Sequence, residues 1–419
     1  MTNLIDFVEE GVPFIKSESV AHGRIDFDNI AYITEKVHRL LVKSFVNRGD
    51  ILFTKIGAIG RVAVYDGRLG ICNSNAATAK IQIDPKQADP TFIAFQLGSE
   101  RVMREFEKTI ISTPPRINLG DINAMMIECP PLPEQHKIAK ILTTVDNLIE
   151  KTEALIAKYQ SVKQGLMYDL FTRGVDQHGH LRPPYAEAPH LYKESALGWI
   201  PREWHCTGFG DFIAAGPQNG LYKPNSAYSD EGTRIVRIDG FYDGVLGDQG
   251  LLRRLAVSAT ERRLYGLEPQ DILINRVNCI DYVGKSAIVT ALLEPTVFES
   301  NIMRIELQRE RLLPEFAIRL LCSPSVQLQF HSRAKSAVAQ ASINQVDVRD
   351  CVISVPAIEE QWQIVGRCQS VDRRIHSEQK YLTKLRTTKT ALMQDLLTGE
   401  VRVKVDESVS RQSSHHAPP

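Results

Sequence analysis

No stretch of 18 apolar residues occurs anywhere in this 419-residue chain, which argues against a membrane-spanning helix. The opening MTNLIDFVEEGVPF lacks the basic segment and long apolar run of a secretory signal. Seven cysteines lie far apart, are odd in number and form no Cys-x-x-Cys pair. That pattern excludes a disulfide framework or a zinc knuckle and fits reduced thiols in a cytoplasm. Excess charge is missing too: 50 basic residues balance 50 acidic ones. A stand-alone nucleic-acid binder is usually basic, so such a role would have to rest on local patches or on partner subunits.

Catalytic signatures are absent in the same way. Gly284-Lys285-Ser286 imitates the end of a phosphate-binding loop, but Cys279 stands where that loop's first glycine is needed to wrap the phosphate. Arg182-Pro-Pro-Tyr185 imitates the acceptor motif of amino-methyltransferases, with Arg182 replacing the polar residue that would hold the target amine. His178, His180, His415 and His416 have no partner ligands at metal spacing. No acid-acid-lysine cluster on a hairpin suggests a nuclease. The expectation is a chain with no catalytic residue and no metal site.

What is present is an internal repeat, which decides architecture before any motif does. PPLPEQHKIAKILTTVDNLIE from Pro130 resembles VPAIEEQWQIVGRCQSVDRRIH from Val355, with Gln135 and Gln361 offset by 226. The same offset takes Val145-Asp146 to Val371-Asp372, Ile117-Asn118 and Asp121 to Ile343-Asn344 and Asp347, and Ser74-Asn75 to Ser300-Asn301. Upstream it drops to 221, where Gly49-Asp-Ile-Leu answers Gln270-Asp-Ile-Leu. A five-residue insertion between those points is expected. Copy two has Leu197–Asp230 ahead of Gly232, the match of Gly11, whereas Met1 lies only ten residues before Gly11. Either an upstream start or a lost opening segment is expected for copy one.

The second part of each copy has helical rhythm. Ile141, Val145, Leu148, Thr152, Leu155, Tyr159, Val162 and Leu166 recur at alternating spacings of four and three, the period of a coiled-coil seam. Ile138, Leu142, Ile149 and Ile156 widen that stripe. Copy two repeats it in Ile364, Cys368, Val371, Ile375, Leu382, Leu385, Leu392 and Leu396. Pro133 and Glu134 suit a first turn, and Gly174 and Gly399 suit helix stops. Taken alone, such helices could equally be a dimerisation device.

The first part of each copy reads as mixed α and β. Gly49–Tyr65 and Pro269–Val289 look like strand, glycine-bearing turn and strand, the second with a longer tip. Further strands at Thr78–Ile83 and Ile302–Leu307 precede helices from Pro90 and Pro314. Then come two acid-free stretches, Lys108–Gly120 and Cys322–Val346. Cations there suit phosphates, and Gln, Asn and Arg can pair with base edges. A solvated polar face would have the same composition. The candidate DNA contacts are Lys55, Arg61, Lys108, Arg116, Arg276, Lys285, Arg333, Lys335 and Gln340, with Arg116 and Gln340 as the base readers.

Taken in order, the Pro-x-Pro-Glu-Gln helix start, GDIL, Gly198-Trp-Ile-Pro-x-Glu-Trp204 and Leu396-Leu-Thr-Gly399 resemble the specificity subunits of type I restriction-modification enzymes. The resemblance implies an α+β architecture: two repeated mixed α/β target-recognition domains, each followed by a long helix, the helices packing as an antiparallel coiled coil. The expected spans are a first recognition domain at 1–132, a long helix at 133–173, a linker at 174–196, a second domain at 197–357, a second helix at 358–399 and a tail at 400–419. It further implies reading of a split double-stranded DNA site. The chain itself would hold no cofactor. Two methylation subunits would bring S-adenosylmethionine, and restriction or motor subunits ATP and Mg. Ile138, Ile141, Leu142, Leu148, Ile364, Cys368 and Ile375 are the residues expected to bind partner subunits. The competing expectation is a non-catalytic coiled-coil scaffold that binds protein.

Overall fold

The computed structural model describes residues 5–21, 23–110, 115–337 and 340–404. Of the tail expected at 400–419, residues 405–419 lie outside the described residues. The chain forms two compact units, one from residues 1–157 with 377–419, the other from residues 158–376.

In the first unit, β1 (Val12–Ile15) runs antiparallel to β2 (Ala31–Ile33). A second sheet centres on β3 (Ile51–Thr54), with β4 (Val62–Val64) along one edge. β5 (Cys72–Ser74) lies parallel to β1, and β6 (Thr78–Ile81) pairs with the other edge of β3. Every residue of β3 is buried, which is why the apolar run Ile-Leu-Phe needs no alternation. α1 (Pro90–Leu97) begins with proline, and the Asp89 side chain accepts from the Phe92 amide; α2 (Glu100–Thr109) is capped by Ser99. Phe53, Phe92, Phe106 and Ile117 form one core with Ile138 and Leu142 of the first long helix (Leu132–Thr172) and Leu396 and Leu397 of the second (Ile358–Leu397).

The second unit repeats the plan. β7 (Thr233–Val236), β8 (Ile272–Asn275), β9 (Val277–Asn278), β10 (Ser286–Ile288), β11 (Thr296–Phe298) and β12 (Ile302–Leu307) precede α3 (Pro314–Leu321) and α4 (Pro324–Arg333), then β13 (Lys335–Ala337) and β14 (Gln340–Ser342). β7 lies parallel to β11, as β1 does to β5. A Cβ at Gly11 would sit 2.4 Å from the Ile33 carbonyl oxygen, and one at Gly232 would sit 2.4 Å from that of Leu255. Glycine is retained there because nothing larger fits.

The structure corrects the repeat in one place. β5 and β11 are equivalent at an offset of 224, so Ser74-Asn75 stands opposite Phe298-Glu299, and the likeness to Ser300-Asn301 is coincidental. The insertion is therefore split. Three extra residues fall between β8 and β10 (276–285 against 55–61), and two fall after α4 (334–342 against 110–116).

Within each unit the long helices run antiparallel. In the first, Asp146 pairs with Lys389 at 2.5 Å and Glu153 with Arg386 at 2.7 Å. In the second, Lys163 pairs with Asp372 at 2.7 Å, and the Tyr159 hydroxyl accepts from Arg374 at 3.2 Å. The seam of the second helix is as expected, with Ile364, Cys368, Ile375, Leu385 and Leu396 buried. That of the first is displaced. Leu148 and Val162 are 39% and 49% exposed, while Thr152 of the same row is buried with Ile138, Leu142 and Ile156 of the adjoining one. Ile138 and Leu142 face the unit's own sheet-and-helix core as well as Leu396 and Leu397 of the other long helix.

The segment expected as a linker (174–196) contributes packed residues to the second unit. Arg182 bridges Glu360, in the first turn of the second long helix, and Glu203; the Val175 amide and the Trp204 indole N–H also donate to Glu360. The first unit has the counterpart. Arg402 makes a forked contact with Glu134, and the Val403 amide donates to the same carboxylate. In each unit a first-turn glutamate of one long helix, buried in the first and half-buried in the second, is clasped by the chain that follows the other.

Candidate nucleic-acid interface

The expected contacts gather where a hairpin meets the acid-free stretch. In the first unit the Ile117 amide donates to the Lys55 carbonyl at 3.0 Å, and Arg116 forms a bridge with Ile56. The Thr54 amide donates to Arg61, across the same hairpin, at 2.9 Å. Backbone bonds thus hold Lys55, Arg61 and Arg116 on one edge. None pairs with a carboxylate among the described residues. Burial, then the neighbouring Arg116 charge, holds the Lys55 ammonium below the ordinary lysine range. Two adjacent cations without a counter-ion favour an anionic partner. Lys108 is exposed but engaged with Glu105 at 2.6 Å.

The second unit repeats the junction. The Ile343 amide donates to the Arg276 carbonyl at 2.9 Å, the counterpart of the Ile117–Lys55 bond. Likewise the Asn275 amide donates to Lys285 as Thr54 does to Arg61. The side chains differ, however. Lys285 donates to the Ile238 carbonyl at 2.7 Å and sits 3.8 Å from the Tyr242 ring centre and 5.3 Å from that of Tyr282. Burial holds its ammonium below the ordinary lysine range, against the opposing pull of Asp239 and Asp243. Its ammonium is thus engaged within this chain, beside two tyrosines and two acids. Arg333 is likewise engaged, donating to the Gln329 side chain at 3.2 Å and to the Asp350 carbonyl at 3.1 Å. The half-buried Arg276 reaches the Ser300 carbonyl at 3.4 Å. Lys335 and Gln340 are exposed on paired strands, with Ala337 opposite Gln340.

Sequence reasoning missed Tyr242, Tyr282 and Asn278. The two tyrosines are brought together by the fold, and Asn278 belongs to a two-residue strand with no periodicity to read. Among the residues expected to bind partners, Ile138, Leu142, Ile364, Cys368 and Ile375 are buried in this chain's own core, Ile141 is half-buried, and Leu148 is exposed. Among the described residues no cluster of three His, Cys, Asp or Glu could hold a metal, and no helix is long and apolar enough to cross a membrane.

Comparison with known proteins agrees with this architecture. A family model described as the type I restriction modification DNA specificity domain matches residues 7–159. The MjaX specificity subunit of a type I restriction enzyme from Methanocaldococcus jannaschii is 25% identical over 400 residues, covering 94% of this chain and 88% of the relative. The MjaVIII specificity subunit of the same organism is 24% identical, covering 96% and 92%. In fold the chain is similar to a type I restriction-modification S subunit from M. genitalium, with TM-score 0.56, 17% identity and 95% of this chain covered against 91% of that one. Over nearly its whole length the chain is thus similar to specificity subunits of type I restriction enzymes, and residues 7–159 match the DNA specificity domain of such systems.

Proposed function

We propose that each unit reads one half of a bipartite double-stranded DNA site, and that the chain contributes recognition without catalysis. The observation carrying this reading is the twice-built junction of a hairpin with an acid-free stretch, closed in both units by the same backbone bond. In the first unit it presents Lys55, Arg61 and Arg116; in the second, Lys335 and Gln340. Arg116 can make paired bonds to guanine, and Gln340 to adenine. Lys55 and Arg61 suit phosphates, as charges without sequence information.

Methyl transfer, ATP hydrolysis and cleavage then belong to methylation and restriction subunits, which bring S-adenosylmethionine, ATP and Mg. The exposed apolar Leu148 of the first long helix is a point at which such a subunit can dock. The test is a binding titration of the assembled complex against duplexes altered one base pair at a time. Arg116→Ala should relax one position of one half-site by about 1–3 kcal/mol. Lys55→Ala should weaken all sequences alike and flatten the salt dependence by about one unit of slope. Equal weakening of every duplex by Arg116→Ala would make that arginine a backbone contact and not a reader.

A further inference from the structure

The two recognition domains keep the same spacing through most of the stretch from β3 or β8 to the long helix. The second is longer at two places: by three residues between β8 and β10, and by two after α4. These places are far apart in sequence, yet the added lengths meet. β9, within the first insertion, pairs antiparallel with β14, within the second, Val277 opposite Ser342 and Asn278 opposite Ala341. β14 pairs in turn with β13. In the first domain, short at both places, the pairing among the described residues is the bridge between Ile56 and Arg116.

The coincidence has a physical basis. A two-stranded hairpin is marginally stable alone, and a third strand is generally needed to hold it. Strands β13 and β14 would form such a hairpin; β9 supplies the third strand, and the buried Ala341 and Ile343 tie the sheet to the core. We infer that the two lengthened loops of the second unit are a single reading element, in which Val277 and Asn278 are positioning residues that set where Lys335 and Gln340 stand. This rests on the DNA-reading role proposed above. Base preference in this unit is then a property of the loop pair, and neither loop carries it alone.

The experiment uses the full chain in its assembled complex, with binding competed by duplexes that each carry one altered base pair. Asn278→Pro removes an amide that the ladder requires, whereas Asn278→Ala keeps it. Replacing residues 335–342 by a glycine–serine segment of equal length removes the reading strand altogether. Asn278→Pro should lower discrimination within the second half-site by roughly tenfold or more, as the replacement does, and the two together should be no worse than either. Discrimination in the first half-site should not move, and Asn278→Ala should behave as the parent.

If the replacement lowers discrimination and Asn278→Pro does not, the coupling of the loops is wrong while DNA reading stands. If the replacement changes no position, the reading itself falls. Equal losses from Asn278→Pro and Asn278→Ala would make Asn278 a direct contact and overturn its positioning role. Hydrogen exchange on the unaltered chain is an independent check. The Ala341 and Ser342 amides should exchange slowly, and exchange at the rate of an open loop would refute the three-stranded element without any variant.

Discussion

The two clasps are built from the same parts and differ in depth. In the second unit Arg182 is 8% exposed and Glu360 12%, with Trp204 fully buried against them. In the first, Glu134 is 7% exposed but its partner Arg402 is 66% exposed. A largely covered carboxylate is common to both, and only one of them has a buried cation. Removing one member of a desolvated pair leaves an uncompensated charge, whereas an exposed partner has water as a substitute. The matched glutamates thus anchor a buried clasp in one unit and a surface latch in the other.

The largest effect should come from Arg182→Ala, which leaves Glu360 with only the Val175 and Trp204 donors. Unfolding of the complete chain should show the second unit destabilised by about 3 kcal/mol. A change no larger than that of a surface arginine would break the contrast. Arg402→Ala should have a smaller effect, confined to the first unit, and hydrogen exchange at the start of the first long helix will locate it.

Acid separates the variants further. The hydrogen-bonded Arg402 guanidinium holds the Glu134 carboxyl below the ordinary glutamate range. Its contribution is therefore complete above the unfolded glutamate value and disappears as pH falls through the lower, folded one. The parent should lose stability across that acid window, and Arg402→Ala should be flatter there. An unchanged acid profile would mean that the latch is not the titrating element.

Smaller differences are expected at the repeated ion pair. Asp372 meets both Lys163 and Arg319, whereas Asp146 meets Lys389. Both sites are partly exposed, so each substitution should cost less than about 1 kcal/mol. Asp372→Asn should exceed Asp146→Asn in a side-by-side denaturant titration. The smallest effect is that of Leu148→Asp, which leaves a side chain already 39% exposed and should alter the isolated chain by no more than about 0.5 kcal/mol.

What the sequence made legible follows from what local chemistry can encode. Asn118 with Asp121 and Asn344 with Asp347 are capping boxes, so their residue types were kept and the repeat could be found through them. The GDIL strands are buried on all sides and read as apolar runs. The displaced seam was a near tie, since rows through Ile138 and Ile141 are both apolar and only the packed domain decides between them. The Arg182–Glu360 clasp joins residues 178 positions apart, and the tyrosines bracing Lys285 lie on separate strands and turns. No local pattern records such meetings. Lys285 accordingly reads as a point charge on a hairpin, and the segment around Arg182 as a linker.

The division of the chain also bears on the order in which it can fold. The second unit is one continuous stretch, 158–376, while the first needs residues from both 1–157 and 377–419. Gln96 donates to the Leu397 carbonyl across 301 positions, and Arg402 reaches Glu134 across 268. On a ribosome adding about 5–20 residues per second, the early domain must wait on the order of ten seconds to a minute for its closing segment. Through that interval Ile138 and Leu142 lack Leu396 and Leu397, their apolar neighbours in the finished core. Ordinary vectorial synthesis finishes the first-made domain first; here the second-made unit can close before it. A released chain truncated after residue 380 should protect the second unit from protease while the first is still cut.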